Sequence, residues 1–267
     1  MQKLFFIFLC FVSFSATAQK DNAKIYKFTY QLVYQSDSTD VYSKQVEDML
    51  LFTNSKESAF LSKNGFERDS IIQELKNNPE LAANGINASM FPKTRFNYKI
   101  IKHYGKDDFV YYDKIFKDYF MYKESKKSIP WKITTETKTI NGFKCQKATT
   151  SYAGRDYTAW FSNEIPITDG PYKFYGLPGL IVKISDAKEH YVFELKKKAT
   201  VAKMPSVVDN SKPIYEVTRA TFREKMNEYK ENAVERISQS GFTLNDEYKA
   251  QVRAKLKKRN NPIELSN

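Results

Sequence analysis

Asp169–Ile184 reads DGPYKFYGLPGLIVKI, and it is the stretch from which the rest of the chain is read. Two turn signals bracket three aromatics, and a continuous apolar run follows. Asp169-Gly170-Pro171 reads as a turn, because Gly tolerates φ > 0 and Pro keeps the residue before it out of the helical region. Leu177-Pro178-Gly179-Leu180 has the Pro and Gly positions of a type II turn. Leu180-Ile181-Val182, with Ile184, is aliphatic and β-branched, as a buried strand requires. Tyr172, Phe174 and Tyr175 lie between the turns. They have two readings: rings packed down on a sheet, the commoner fate of aromatics, or the lining of a ligand pocket to which Trp160 also contributes.

Outward from this stretch the chain has the rhythm of strands. Tyr26, Phe28, Tyr30, Leu32 and Tyr34 alternate with smaller or polar residues, so period two puts five large side chains on one face. Further strands are expected at Val46–Phe52, Ser58–Ser62, Arg95–Tyr104, Phe109–Tyr112, Lys117–Lys123 and His190–Lys196. Ile140-Asn141-Gly142-Phe143 is an Asn-Gly hairpin signal. It sets Ile140 opposite Phe143, Lys138 opposite Cys145, Glu136 opposite Lys147 and Trp131 opposite Tyr152. The next turn, Ala153-Gly154, fits either a two-residue loop or a bulged turn, and the two put Trp160 on different faces.

Two segments leave this rhythm. Asp69-Ser70 is placed to cap a short helix, and the region 69–90 reads as a helical insertion ended by Asn77-Asn78-Pro79. At the other end, residues 214–267 read as a helical tail packed on or beside the sheet. Phe222, Met226, Tyr229, Ala233 and Ile237 form one helical stripe from a cap at Thr218 to a stop at Gly241, and a second helix starts at Asn245. Strands first and helices last argue an α+β fold with a curved antiparallel sheet.

Residues 1–18 have the pattern of a signal peptide. Lys3 precedes the apolar run Leu4–Phe14, and Ala16-Thr17-Ala18 supplies small residues before a cut at Gln19. The expectation is an exported chain, periplasmic or extracellular, with residues 19–267 as one domain and no membrane-spanning segment. Cys10 leaves with the leader, so Cys145 has no disulfide partner. Its alternation with Phe143 favours burial as a small hydrophobe. The net charge of +12 is spread out and interleaved with acids, except at Lys196–Lys198 and Lys255–Arg259. That distribution, without a nucleic-acid motif, argues against a nucleic-acid partner.

Several quoted segments carry a resemblance. Gly176–Ile181 is the GLPGLI hexapeptide. Lys138–Ala148 looks like the accompanying K-x-I-x-G-aromatic-x-C-x-K-A element, and Gly154-Arg155, Ala159–Phe161, Glu164–Ile167 and Asn261–Leu265 also match. The chain thus resembles the GLPGLI family of exported bacterial proteins. Tyr175 departs from the pattern, where Gly is commoner. The family carries no assigned reaction, so the resemblance implies compartment and architecture rather than chemistry.

The inventory for chemistry is thin. His103 and His190 sit in expected strands, no Ser lies in a nucleophile elbow, and a Cys145–His pair depends on the fold. There is no metal-ligand spacing and no phosphate-cradling loop, so neither cofactor nor catalytic residue is assigned. The expected function is non-enzymatic binding of a lipid or another hydrophobic envelope-derived ligand on the curved sheet, a layout loosely similar to the LolA-like lipoprotein carriers. An accessory or scaffold partner of an envelope complex is the alternative, and a hydrolase of unrecognised type the third.

Overall fold

The computed structural model describes residues 24–83, 85–209, 211–239 and 245–266. The expected leader, its cleavage point and the stop at Gly241 lie outside them. The N-terminal half supplies β1 (Ile25–Gln35), β2 (Lys44–Thr53), β3 (Glu57–Ser62), α1 (Lys63–Asn77), α2 (Pro79–Ala83), β4 (Lys99–His103), β5 (Asp108–Ile115) and β6 (Asp118–Ser125). Then come β7 (Lys132–Ile140), β8 (Phe143–Tyr152), β9 (Arg155–Ser162), β10 (Leu180–Asp186), β11 (Tyr191–Val201), β12 (Ile214–Glu216), α3 (Arg219–Glu231), α4 (Ala233–Gln239) and α5 (Asp246–Lys257).

The described strands form one twelve-stranded sheet, ordered β12-β6-β5-β4-β3-β2-β1-β11-β10-β9-β8-β7. All neighbours are antiparallel except the three-residue β12, which runs parallel to β6. The fold is α+β and mostly β. Among the described residues no helix is long and apolar enough to cross a membrane.

The sheet is rolled. β6 and β8 are nine steps apart in the strand order, which on a flat sheet would separate them by about 43 Å. Yet the Tyr152 hydroxyl on β8 donates to Glu124 Oε1 on β6 at 2.6 Å. Rolling gives the sheet an inner face, and the alternating residues of β1 show which one it is. Phe28, Tyr30 and Leu32 are fully buried there, beside Phe60, Ile100, Phe109, Phe161 and Phe193 from other strands. A smaller apolar layer lies on the outer face. There Leu50, Phe52 and Leu61 pack under Phe66 of α1 and under Met204 and Val207 of the arm after β11.

Several expectations change on contact with the structure. The first helix starts at Lys63, not near Asp69, because Ser62 caps it by accepting from the Gly65 amide. The strand expected over 95–104 is confined to Lys99–His103, and Phe96 packs instead on Tyr34 with ring centroids 4.8 Å apart. The tail is not helical throughout: 214–216 is an edge strand, Asn232 interrupts the stripe between α3 and α4, and residues 261–266 are irregular.

The Asn141-Gly142 turn forms as read, with both residues at positive φ, and Ile140–Phe143 through Thr137–Gln146 pair accordingly. Then the register shifts, so that Ile133 lies opposite Ala148. Glu136 therefore falls in a bulge rather than directly across from Lys147, although the two still form an ion pair at 2.9 Å. The expected Trp131–Tyr152 pairing is lost, and Trp131 turns onto the ring of Phe174, 6.2 Å away. At the next turn the two-residue loop wins: Ala153 and Gly154 both take positive φ and Tyr152 pairs with Arg155.

Candidate functional site

Residues 163–179 join β9 to β10, and they lie across the inner face of the rolled sheet rather than outside it. Tyr172, Phe174 and Leu177 are 2%, 0% and 1% exposed. A loop placed there must satisfy its polar groups internally. Backbone bonds along the loop do much of that, and two lysines tie the loop to its surroundings, one from the sheet and one from the loop.

Lys102 on β4 is the first. Its ammonium donates to Asp169 Oδ1 at 2.6 Å and to the carbonyls of Gly170 at 2.8 Å and Phe174 at 3.1 Å, which uses all three donors. The other carboxylate oxygen of Asp169 accepts from the Tyr104 hydroxyl at 2.7 Å. Burial pulls the Lys102 pKa below its ordinary value, and the facing Asp169 carboxylate acts in the other direction. Asp169 is thus a buried ion-pair partner.

Lys173 is the second. Its ammonium reaches Glu264 Oε1 at 2.6 Å, Glu124 Oε2 at 2.7 Å and the Tyr122 hydroxyl at 3.0 Å. Rings surround it, with Tyr122 and Tyr111 at 5.0 and 5.1 Å and Phe109, Tyr172 and Tyr152 at 5.6, 5.6 and 5.9 Å from their centroids. These are cation–π distances in a desolvated setting. Glu264 also accepts from the Tyr172 hydroxyl at 2.6 Å and from Arg219 of α3 at 2.9 Å. Burial pushes its carboxyl up, but Lys173 and Arg219 prevail and hold it at about 2. The phenols around it move the opposite way: burial first, then the nearby carboxylates, raise Tyr122, Tyr152 and Tyr172, so they remain donors.

The loop bends locally to deliver this lysine. The Phe174 amide donates to the Pro171 carbonyl at 3.2 Å, closing a turn with Tyr172 at φ 55°. A bulky ring in the left-handed region costs on the order of 1–3 kcal/mol. The expected type II turn at Leu177–Leu180 does not form. The Gly179 amide returns to the Leu177 carbonyl at 2.8 Å across Pro178, a three-residue turn, and the Leu180 amide goes to Ile165.

The segment Asn261–Leu265 closes the site. Arg155 at the start of β9 binds Asp186 at 2.9 Å, Asn261 Oδ1 at 2.6 Å and the Pro262 carbonyl at 2.7 Å. The side-chain amide of Asn261 donates to the Gln35 carbonyl, and the Leu265 amide to that of Ala153. The motifs around Gly154-Arg155 and Asn261–Leu265 therefore meet in space and set Glu264 against Lys173.

Of the four residues singled out for ligand binding, three are brought together. Tyr172 and Phe174 are enclosed, with the ring of Tyr157 4.7 Å from that of Phe174. Tyr175 is half-buried, stacked on Tyr104 at 6.2 Å under the Lys126 ammonium at 4.7 Å. Trp160 lies elsewhere. Its neighbours Ala159 and Phe161 point inward, so it faces outward across from Lys147, with the Lys138 ammonium 3.9 Å from its ring. Sequence reasoning missed Lys102, Lys173, Glu124 and Glu264. For Lys173 a signal was available, a lone charge inside the aromatic run Tyr172–Tyr175.

The groups considered for chemistry are dispersed. The Cys145 sulfur on β8 lies against the Phe143 carbonyl, and His190 lies 3.5 Å from Arg155. Burial pushes the Cys145 thiol up to about 11. His103 faces Glu57 at 3.1 Å. Asp113 is raised to about 6 by burial, and its oxygens are taken by the Tyr111 hydroxyl and the Lys114 amide. Among the described residues no group of three His, Cys, Asp or Glu is placed to hold a metal ion. Two shallow surface depressions of about 470 and 480 Å³ flank the site, one at Lys106, Lys123 and Glu124, the other at Lys132, Ser151 and Asp156.

Known proteins place the chain by likeness. A family model described as a protein of unknown function (Porph_ging) matches residues 152–183, the span from the β8–β9 turn through the loop into β10. No curated protein matches the sequence. Among solved structures, PNGF-II in its P21 and C2 crystal forms is similar, with a TM-score of 0.55 in both cases and identities of 16% and 17%. The match covers 76% of this chain and 33% of PNGF-II, so the chain spans about a third of that protein's length. At this identity the likeness is one of fold.

Proposed function

We propose that the chain is an exported, non-enzymatic accessory protein of the GLPGLI type, which engages a protein partner of the bacterial envelope through its outer surface. The observation that carries this reading is the filling of the inner face by the protein's own loop, held by two buried lysine networks. A site for a hydrophobic ligand on that face would require Tyr172 and Phe174 to leave it. The family assignment draws support from the match over 152–183, which includes Gly176–Ile181. Export draws on the signal-peptide pattern of residues 1–18.

Ligand carriage is the second reading, favoured by Tyr175, which lies half-buried at the loop's margin beside Tyr104. Native mass spectrometry of the chain purified from cells without detergent separates the two. A second polypeptide in fixed ratio is the result expected here. A bound lipid-sized mass, lost in Phe174→Ala and Tyr175→Ala variants that still fold, would replace the accessory role with carriage.

A further inference from the structure

Among the described residues, the end of the sheet where β1 turns into β2 makes no bond to Lys102 or Lys173 and touches the site through the neighbouring Asn260 and Asn261. Residues 36–43 form a tight connection whose tip is apolar, with Val41 65% and Tyr42 93% exposed. Such exposure of a large ring usually belongs to a floppy loop. Here the loop is fixed. Asp40 caps the turn by accepting from the Tyr42 amide, and Asp37 holds Thr39. The Ser38 amide and hydroxyl both donate to Asn260 Oδ1, at 2.8 and 2.9 Å.

The apolar character continues onto the outer face. Val46 lies directly across from Val33, and Val33 from Val192, so three valines form a row over β2, β1 and β11. Val46 at its end is 62% exposed.

Cations flank this tip. The contact with Asn260 brings the adjoining Lys258 and Arg259, at the end of the basic run, near it. Lys44 follows the tip in sequence, and Lys188 lies in the β10–β11 turn, whose His190 carbonyl accepts from the Gln35 amide. None of Lys44, Lys188, Lys258 and Arg259 forms an ion pair among the described residues. Burial, then the Arg95 guanidinium, hold the pKa of Arg259 below its ordinary value. The acids nearby are Asp37 and Asp40, engaged in the loop's own bonds, and Glu189 in the β10–β11 turn.

An apolar tip ringed by cations that form no ion pair among the described residues, with Lys258 only partly offset by the Asp37 carboxylate, is the chemistry that recognises an anionic bilayer: the apolar groups enter the headgroup layer while the cations lie on the phosphates. We propose that this end of the sheet docks the protein peripherally on an anionic phospholipid surface, with Val41 and Tyr42 as the inserting residues. This is independent of whether a protein partner or a ligand binds elsewhere.

The test is co-sedimentation of the full chain with phosphatidylglycerol-containing vesicles and with phosphatidylcholine vesicles, at low and high salt. Binding is expected to the anionic vesicles, weakening as salt rises. Val41→Asp with Tyr42→Asp should weaken it about tenfold or more. Lys258→Glu with Arg259→Glu should weaken it about fivefold for each cation removed. Val41, Tyr42 and Lys258 are exposed, and Arg259, though partly desolvated, forms no ion pair among the described residues, so the fold should survive, as circular dichroism would check. Lys197→Glu with Lys198→Glu removes the same charge from the other basic run and should matter far less. Equal binding to both vesicle types, no binding to either, or an equal loss in the Lys197/Lys198 control would overturn the proposal.

Discussion

Gly179 passes the preceding strand so closely that a Cβ built on it would lie 2.3 Å from the Ser162 carbonyl oxygen. That neighbour is backbone and has little room to move. Gly179→Ala should therefore destabilise the protein by at least about 1–3 kcal/mol, read as a fall of several degrees in Tm. Tyr175→Ala, at a half-buried position, should cost much less. Lys173 is a harsher case. Lys173→Ala leaves Glu124 and Glu264 facing each other in a desolvated pocket, and we expect a loss of about 3–5 kcal/mol in chemical denaturation. The lysine escaped sequence reading for a geometric reason. A segment read as a loop has no periodicity to assign its side chains to a face, and only the turn over Pro171–Phe174 shows that Lys173 folds in beside Tyr172 and Phe174.

The hairpin of β7 and β8 shows what short-range signals can and cannot give. Asn141-Gly142 fixes the first pairs because its two positive φ angles determine the turn. It does not fix the far end, where the bulge before Thr137 shifts the partners of Lys132 and Ile133. The ion pair between Glu136 and Lys147 survives this shift, so the charge pattern alone could not detect it. Cys145 lies within the well-determined part and is fully buried. With its thiol pushed up to about 11 by burial, it should alkylate at neutral pH far more slowly in the native protein than after denaturation. Equal rates in the two states would mean that the strand opens readily. At α1 the difficulty was one of competing caps: Asp69-Ser70 and Ser62 both qualify by residue type, and only the end of β3 shows that the helix begins at once.

At the scale of the whole molecule the strand-rich α+β character was legible, since the alternation in β1 and the helical stripe of α3 are local patterns. A curved sheet was expected, but how far it rolls was not legible. It depends on which strands meet across the interior, and nothing local in β6 or β8 encodes the approach of Tyr152 to Glu124. The interior charges follow from that rolling, and they make stability depend on pH. Glu264 titrates at about 2 in the folded protein, against an ordinary 4.5. A lowered carboxyl contributes fully above its unfolded value and loses that contribution as pH falls through its folded value. Roughly 3 kcal/mol should therefore disappear between about pH 4.5 and 2. Glu264→Gln should be less stable at neutral pH and show a flatter acid limb in denaturant titrations.

The bond from Asn261 to Gln35 spans 226 positions. β1 takes its place in mid-sheet only when β11 arrives to pair with it. Assembly thus waits on some of the most distant pairings the chain can make, and closing such loops is slow relative to local hairpins. A chain passing through a narrow opening would remain unfinished until residues near 261 had emerged, leaving the rings of β1 uncovered in the meantime. For this architecture, the interval between emergence and closure is when a chaperone or protease would have its access.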